Sequence, residues 1–246
     1  NEFSAMEGTS VLNYNLQMER DIHSRAGYGP AFYIFPDSKL DNNQALELAG
    51  KLDLVNIIKE YGGRIMVVNP SSDKWQDQDL ENFRRLIGMG GAPTNVKVIG
   101  IGSGATFVNR QLAATDLTGV IAGIVSIDGD PGKICKLPVP AFIGGKNAAK
   151  AAKPYQATSD AAPADPLQKV VVNTDKKASL ETLFAEAWDE VLSANYRYNN
   201  LYRTFYMSRG IDNPEGVKNY ELVSIPVFEK LGIQRNVVEY PLVDMN

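Results

Sequence analysis

The residues best placed to do chemistry lie in one glycine-rich turn, Gly100-Ile101-Gly102-Ser103-Gly104. It follows a short apolar run, residues 96–100, and opens a segment of helical period, residues 105–114. A strand-to-helix turn of the form Gly-x-Ser-x-Gly holds a serine hydroxyl at the carboxyl edge of a sheet, beside backbone N–H groups that stabilise an oxyanion. Here Gly100 and Gly104 stand at the flanking positions, and the nucleophile position falls on Gly102. Ser103, the candidate catalytic residue, comes one residue late. The same stretch reads a second way, because Gly100, Gly102 and Ala105 satisfy Gly-x-Gly-x-x-Ala and Asp128 lies roughly 20 residues further on. The glycines would then admit a pyrophosphate to the positive end of a helix. Two features count against this: the turn follows the third or fourth strand rather than opening the domain, and the chain has no Tyr-x-x-x-Lys pair. A tight turn with no chemistry is the third reading.

A nucleophilic serine needs a base near neutral pH, and imidazole is the usual one. The chain has one histidine, His23, which precedes all the parallel strands expected below. Triads of this kind arrive in the order Ser, Asp, His, and nothing after His23 is histidine. Asp175, after the run at residues 170–172, is the candidate triad acid by position, with Asp128 and Asp130 at the end of an earlier strand. The Lys146-Asn147 that follows Gly144-Gly145 supplies no acid. Ser71-Ser72-Asp73-Lys74 matches Ser-x-x-Lys but lacks the rest of that enzyme class's signature. One cysteine, Cys135, excludes an internal disulfide and a cysteine-based zinc cluster, so no metal and no cofactor are expected.

The elements that must position these residues alternate. Buried strands are expected at residues 31–35 (AFYIF), 64–68 (RIMVV), 96–100, 121–127 (IAGIVSI), 140–144 and 170–172. Helical periodicity fills residues 43–61, 79–87, 105–114 and 180–192, with Leu46, Ala49, Leu52, Val55 and Ile58 as the first stripe. Residues 2–17 read as a leading antiparallel strand, and residues 148–164, which contain Pro154 and Pro163, as a long loop or broken helix. Continuous apolar strands separated by helices indicate a three-layer α/β/α sandwich with a mostly parallel sheet. The 246 residues, 44% hydrophobic and 22% charged, suit a single domain, 1–246. Residues 195–246 form an aromatic-rich terminal segment whose last apolar run, 237–243, stops abruptly, as the N-terminal part of a longer chain would. A net charge of −4 argues against nucleic-acid or anionic-membrane partners, and no run of about 18 apolar residues offers a membrane span.

The order AFYIFP, a helix ending KEYGG, RIMVVNP, VKVIGIGSGA and IAGIVSIDGD resembles the polyhydroxybutyrate-depolymerase-like esterases of the α/β-hydrolase superfamily. Phe-Pro-Asp after the first strand, Trp75 in the next loop and the Ala187-Trp188-Asp189-Glu190 segment add to the resemblance. The resemblance implies a bacterial-type ester hydrolase with a Ser–Asp–His triad, often secreted or at the cell surface. Set beside Gly102 and the missing late histidine, it points to a hydrolase-shaped domain that has lost the reaction. Such a domain would bind a small-molecule or ester-type ligand, pack on a second catalytic domain, or form a homo-oligomer. Two readings compete with it: an active esterase using Ser103, and a nucleotide-binding module using Gly100, Gly102 and Ala105.

Overall fold

A computed structural model describes residues 3–6, 9–14, 31–61, 63–89, 96–115, 117, 120–137, 139–161 and 169–193. His23, the aromatic segment from residue 195 and the run at 237–243 lie outside the described residues. Eight strands form one sheet: β1 (Phe3–Met6), β2 (Thr9–Tyr14), β3 (Ala31–Phe35), β4 (Gly63–Val68), β5 (Val96–Ile101), β6 (Ile121–Ile127), β7 (Ala141–Gly144) and β8 (Val170–Asn173). Their spatial order is β1-β2-β4-β3-β5-β6-β7-β8. β3 to β8 run parallel, while β2 pairs antiparallel with both β1 and β4. The N-terminal segment thus contributes two antiparallel strands rather than one. This order, with its reversed second strand, is that of the α/β-hydrolase fold.

The all-apolar strand sequences follow from helices on both faces. In β3 all five residues are buried, and they alternate between two cores. Ala31, Tyr33 and Phe35 face the helices α3 (Gln78–Met89), α4 (Ser103–Phe107) and α5 (Ala148–Ala161). Phe32 and Ile34 face α1 (Asn42–Lys51), α2 (Leu54–Tyr61) and α6 (Leu180–Ala187). Three layers result. The helices α4 and α6 each continue as a π-helical turn, over Val108–Leu112 and Trp188–Leu192.

Two helix expectations need correction. Residues 43–61 are two helices, because Asp53 takes φ 57° between them. The break re-phases the stripe: Ala45, Ala49, Leu52, Leu54, Ile57 and Ile58 are buried, and Leu46 is exposed. The long loop or broken helix expected at 148–164 is, over Ala148–Ala161, the helix α5, whose Ala148, Ala151, Ala152 and Tyr155 recur at helical spacing and pack into the core. Pro154 costs a helix its i→i−4 bond, yet small alanines packed on the sheet hold the helix through it.

Both faces are crossed at one place that matters. The chain leaves β3 through α1 and α2 on one face, and leaves β4 and β5 through α3 and α4 on the other. The strand order reverses between β3 and β5, and crevices at such points, beyond the carboxyl ends of the strands, are where open α/β sheets bind ligands.

Candidate functional site

The glycine turn stands at that reversal. Gly102 follows β5 with φ 57° and ψ −123°, outside the regions open to L side chains, and α4 begins at the next residue. The result is a sharp strand-to-helix turn built around a glycine. The flanking glycines permit the close packing that such a turn needs. A Cβ on Gly100 would lie 2.6 Å from the Ala105 Cα, and one on Gly104 would lie 2.0 Å from the Phe35 carbonyl oxygen.

The space above Gly102 belongs to Asp37. A Cβ built on Gly102 would meet Asp37 Oδ1 at 2.2 Å and its Cγ at 2.6 Å. Asp37 Oδ1 accepts a hydrogen bond from the Ser103 N–H at 2.8 Å. In an elbow the N–H of the residue after the nucleophile is one of the two oxyanion donors, the other coming from the loop after β3. Asp37 sits in that loop, so its carboxylate occupies the donor that a tetrahedral oxyanion would use. The Ser103 hydroxyl donates to the Asp37 backbone carbonyl. The loop is tied down on both sides. Leu40 and Asn69 exchange two hydrogen bonds of 2.9 and 2.8 Å, and the Trp75 indole N–H donates to the Pro36 carbonyl at 3.0 Å.

A cavity of about 770 Å³ opens over the turn. Its wall carries Asp37, Asp73, Asp77, Asp128 and Asp130, with Lys74, Arg110 and Lys146. Trp75 and Phe107 supply an apolar side, their rings stacked at 4.8 Å and 24°. The loop bearing Asp73, Lys74 and Trp75 is organised by Asp79, which is buried and accepts from the Ser71 N–H (2.9 Å) and the Gln76 N–H (2.8 Å). Ser72 bonds the Lys74 carbonyl, so the Ser-x-x-Lys stretch is a turn that sends Asp73 and Lys74, but neither serine, to the cavity.

On the far side, Asp128 adopts φ 58° at the end of β6, and its Oδ1 accepts from the Lys146 N–H at 2.8 Å. Asp130 Oδ1 accepts from the Asn147 amide at 3.0 Å, and Asp77 Oδ1 from the Gln111 amide at 2.7 Å. A buried chain steadies this rim: the Tyr155 hydroxyl donates to Asn109 Oδ1 at 2.7 Å, and the Asn109 amide donates to the Asp130 carbonyl at 2.9 Å. Burial, reinforced by nearby Cys135, holds the Tyr155 phenol well above its ordinary pKa, so it stays a neutral donor. Burial likewise pushes the Cys135 thiol up, which leaves it a poor nucleophile.

The structure places the sequence candidates as follows. Gly100, Gly102, Ser103 and Gly104 lie in the turn from β5 to α4, and Gly102 and Ser103 line the cavity. Asp175 follows β8, where its carboxylate accepts from the Lys177 N–H at 2.9 Å, and it is not among the cavity residues. The place after β7 holds Gly145, Lys146 and Asn147. Sequence reading missed Asp37 as the residue over the turn, because the contact spans 66 positions. Among the described residues no group of three or more His, Cys, Asp or Glu could hold a metal ion, and no helix is long and apolar enough to cross a membrane.

No family model and no curated protein matches the chain. Solved structures similar to it include a thermostable esterase, at 10% identity and TM-score 0.45 over 69% of this chain and 51% of that one. The chain therefore spans about half the length of that esterase. A predicted CIB-like hydrolase from Thermoplasma acidophilum is similar at 14% identity and TM-score 0.46, covering 75% of this chain and 91% of that one. An α/β hydrolase from the metagenome of Mar Chica lagoon sediments, Morocco, is similar at 12% identity and TM-score 0.46, covering 85% and 99%.

Proposed function

We propose that this α/β-hydrolase-fold domain does not hydrolyse esters and instead binds a small molecule in the cavity over its elbow. The observation that carries the reading is Gly102: the turn keeps the strained geometry of a nucleophile elbow, carries no side chain, and has the Asp37 carboxylate where that side chain would stand. Acyl transfer needs a nucleophile, a base and an empty oxyanion site. Ser103 is a poor substitute nucleophile, since its hydroxyl is turned onto the Asp37 carbonyl and its own N–H is engaged by the Asp37 carboxylate. A base from the Ser–Asp–His order has no histidine to use after β3.

The nucleotide reading fares worse on the same geometry. A pyrophosphate at the start of α4 would meet a carboxylate already bonded there, and like charges at that distance repel strongly. Packing of this domain on a catalytic partner stays a companion proposal, since binding and packing both follow from a site relieved of chemistry. Turnover of p-nitrophenyl acetate and butyrate tests the reading. The expected rate equals the buffer blank for the parent protein and for Ser103→Ala alike. Hydrolysis that Ser103→Ala abolishes would overturn it.

A further inference from the structure

We propose that the cavity over the elbow takes an organic cation, an ammonium or guanidinium group on an apolar body. Asp37 and Asp128 are its charge partners, and Trp75 and Phe107 are its apolar wall. This deepens the binding reading above and rests on it. The volume of about 770 Å³ is that of a site for a drug-sized molecule.

The charge of that molecule follows from how the wall's polar groups are already used. The Ser103 N–H, the donor best placed to receive an anion, is filled by Asp37. A ligand carboxylate or phosphate finds no vacancy there. Five carboxylates against three cations leave the wall at −2. Among the described residues the ion pairs are Lys51–Glu181, Arg84–Glu81 and Lys169–Glu190, none of which involves a cavity residue. The wall's carboxylates are therefore not neutralised in place.

Four of the five are instead oriented by one neutral donor apiece, always on Oδ1: a backbone N–H for Asp37 and Asp128, a side-chain amide for Asp77 and Asp130. Among the described residues the Oδ2 of each has no protein donor. A carboxylate held by one oxygen and open at the other is preorganised to accept a charge-assisted hydrogen bond. Asp37 and Asp128 flank Gly102, since Asp37 lies over it and the Gly102 N–H bonds the Ile127 carbonyl at 2.8 Å, one residue before Asp128. With no side chain on Gly102, the Asp37 carboxylate covers that floor.

The carboxylates do not converge as a chelate does, for no metal-holding group of three exists among the described residues. They suit a donor with several N–H groups on a body of some length. Beside them Trp75 and Phe107 offer aromatic surface, where such a body packs and a cation near an indole face gains further attraction.

Phenethylamine, phenethyl alcohol and phenylacetate carry the same ring with a cationic, neutral or anionic end, and titration calorimetry against each tests the proposal. The amine is expected to bind at millimolar concentration, more weakly as salt rises, and phenylacetate not to bind. Asp128→Asn and Asp37→Asn each keep the Oδ1 acceptor and are expected to weaken the amine about tenfold or more, as loss of a charge-assisted bond requires. Glu47→Gln, on exposed α1, is expected to leave the affinity unchanged. The proposal is overturned if phenylacetate binds as well as the amine, if neither binds, or if both asparagine variants bind the amine as the parent does. Ester turnover measured on the same protein separates the two levels. Turnover with amine binding intact overturns the non-catalytic reading and leaves the ligand class standing, whereas neither activity nor amine binding overturns the ligand class alone.

Discussion

Replacing Gly102 by alanine isolates the physics of the elbow. An L residue at φ 57°, ψ −123° costs about 1–3 kcal/mol in backbone strain. The added Cβ also lands 2.2 Å from Asp37 Oδ1, so the carboxylate must swing away and release the Ser103 N–H. Both residues are exposed, so water competes and that lost bond contributes about 1 kcal/mol, the worth of an ordinary hydrogen bond. The two together predict a destabilisation of about 2–4 kcal/mol, or roughly 5–15 °C in Tm for a domain of this size. Asp37→Ala alone is expected to cost about 1 kcal/mol, because water replaces the carboxylate at an exposed N–H. Once Asp37 is gone the collision is gone, so the double variant should be less destabilised than the two singles added, by about 1 kcal/mol. Urea unfolding followed by circular dichroism gives all four corners of the cycle. A Gly102→Ala variant as stable as the parent, or strict additivity in the cycle, would refute the reasoning.

Gly104→Ala drives a methyl 2.0 Å from the Phe35 carbonyl oxygen, where backbone must move, and is expected to cost more than Gly102→Ala in the same urea assay. Asn109→Ala strands the buried Tyr155 hydroxyl and frees the loop at Asp130, with an expected loss of about 1–3 kcal/mol; Tyr155→Phe in that background should recover part of it. Native Cys135 is expected to resist a thiol-specific disulfide reagent at neutral pH, because burial raises its pKa and covers it, and to react once urea unfolds the chain. Rapid stoichiometric modification of the folded protein would contradict this.

Where a strand is buried on both faces, its sequence is close to its boundary, and AFYIF and IAGIVSI coincide with β3 and β6. The tight glycine turn was legible for a related reason: Gly100 and Gly104 answer to close packing between neighbouring elements, which leaves a local spacing in the chain. Other features left no such mark. The division of α1 from α2 rests on a left-handed Asp53, a conformation that aspartate adopts without announcing it. Pro154 argued for a break that the alanine-rich face of α5 overrides through packing on the sheet. Asp37 was visible only as part of Phe-Pro-Asp, and its role arises from β3 and β5 lying side by side. Asp175, the candidate acid by position, follows β8 and accepts from the Lys177 N–H in a turn that the sequence did not announce.

The central claim is that the elbow holds no nucleophile. Intact-mass spectrometry after exposure to a fluorophosphonate probe tests it most directly, since the probe marks activated serines and ignores ordinary ones. The protein is expected to keep its unmodified mass at probe concentrations that fully label a serine esterase control. A single adduct mapping to Ser103 would contradict the account.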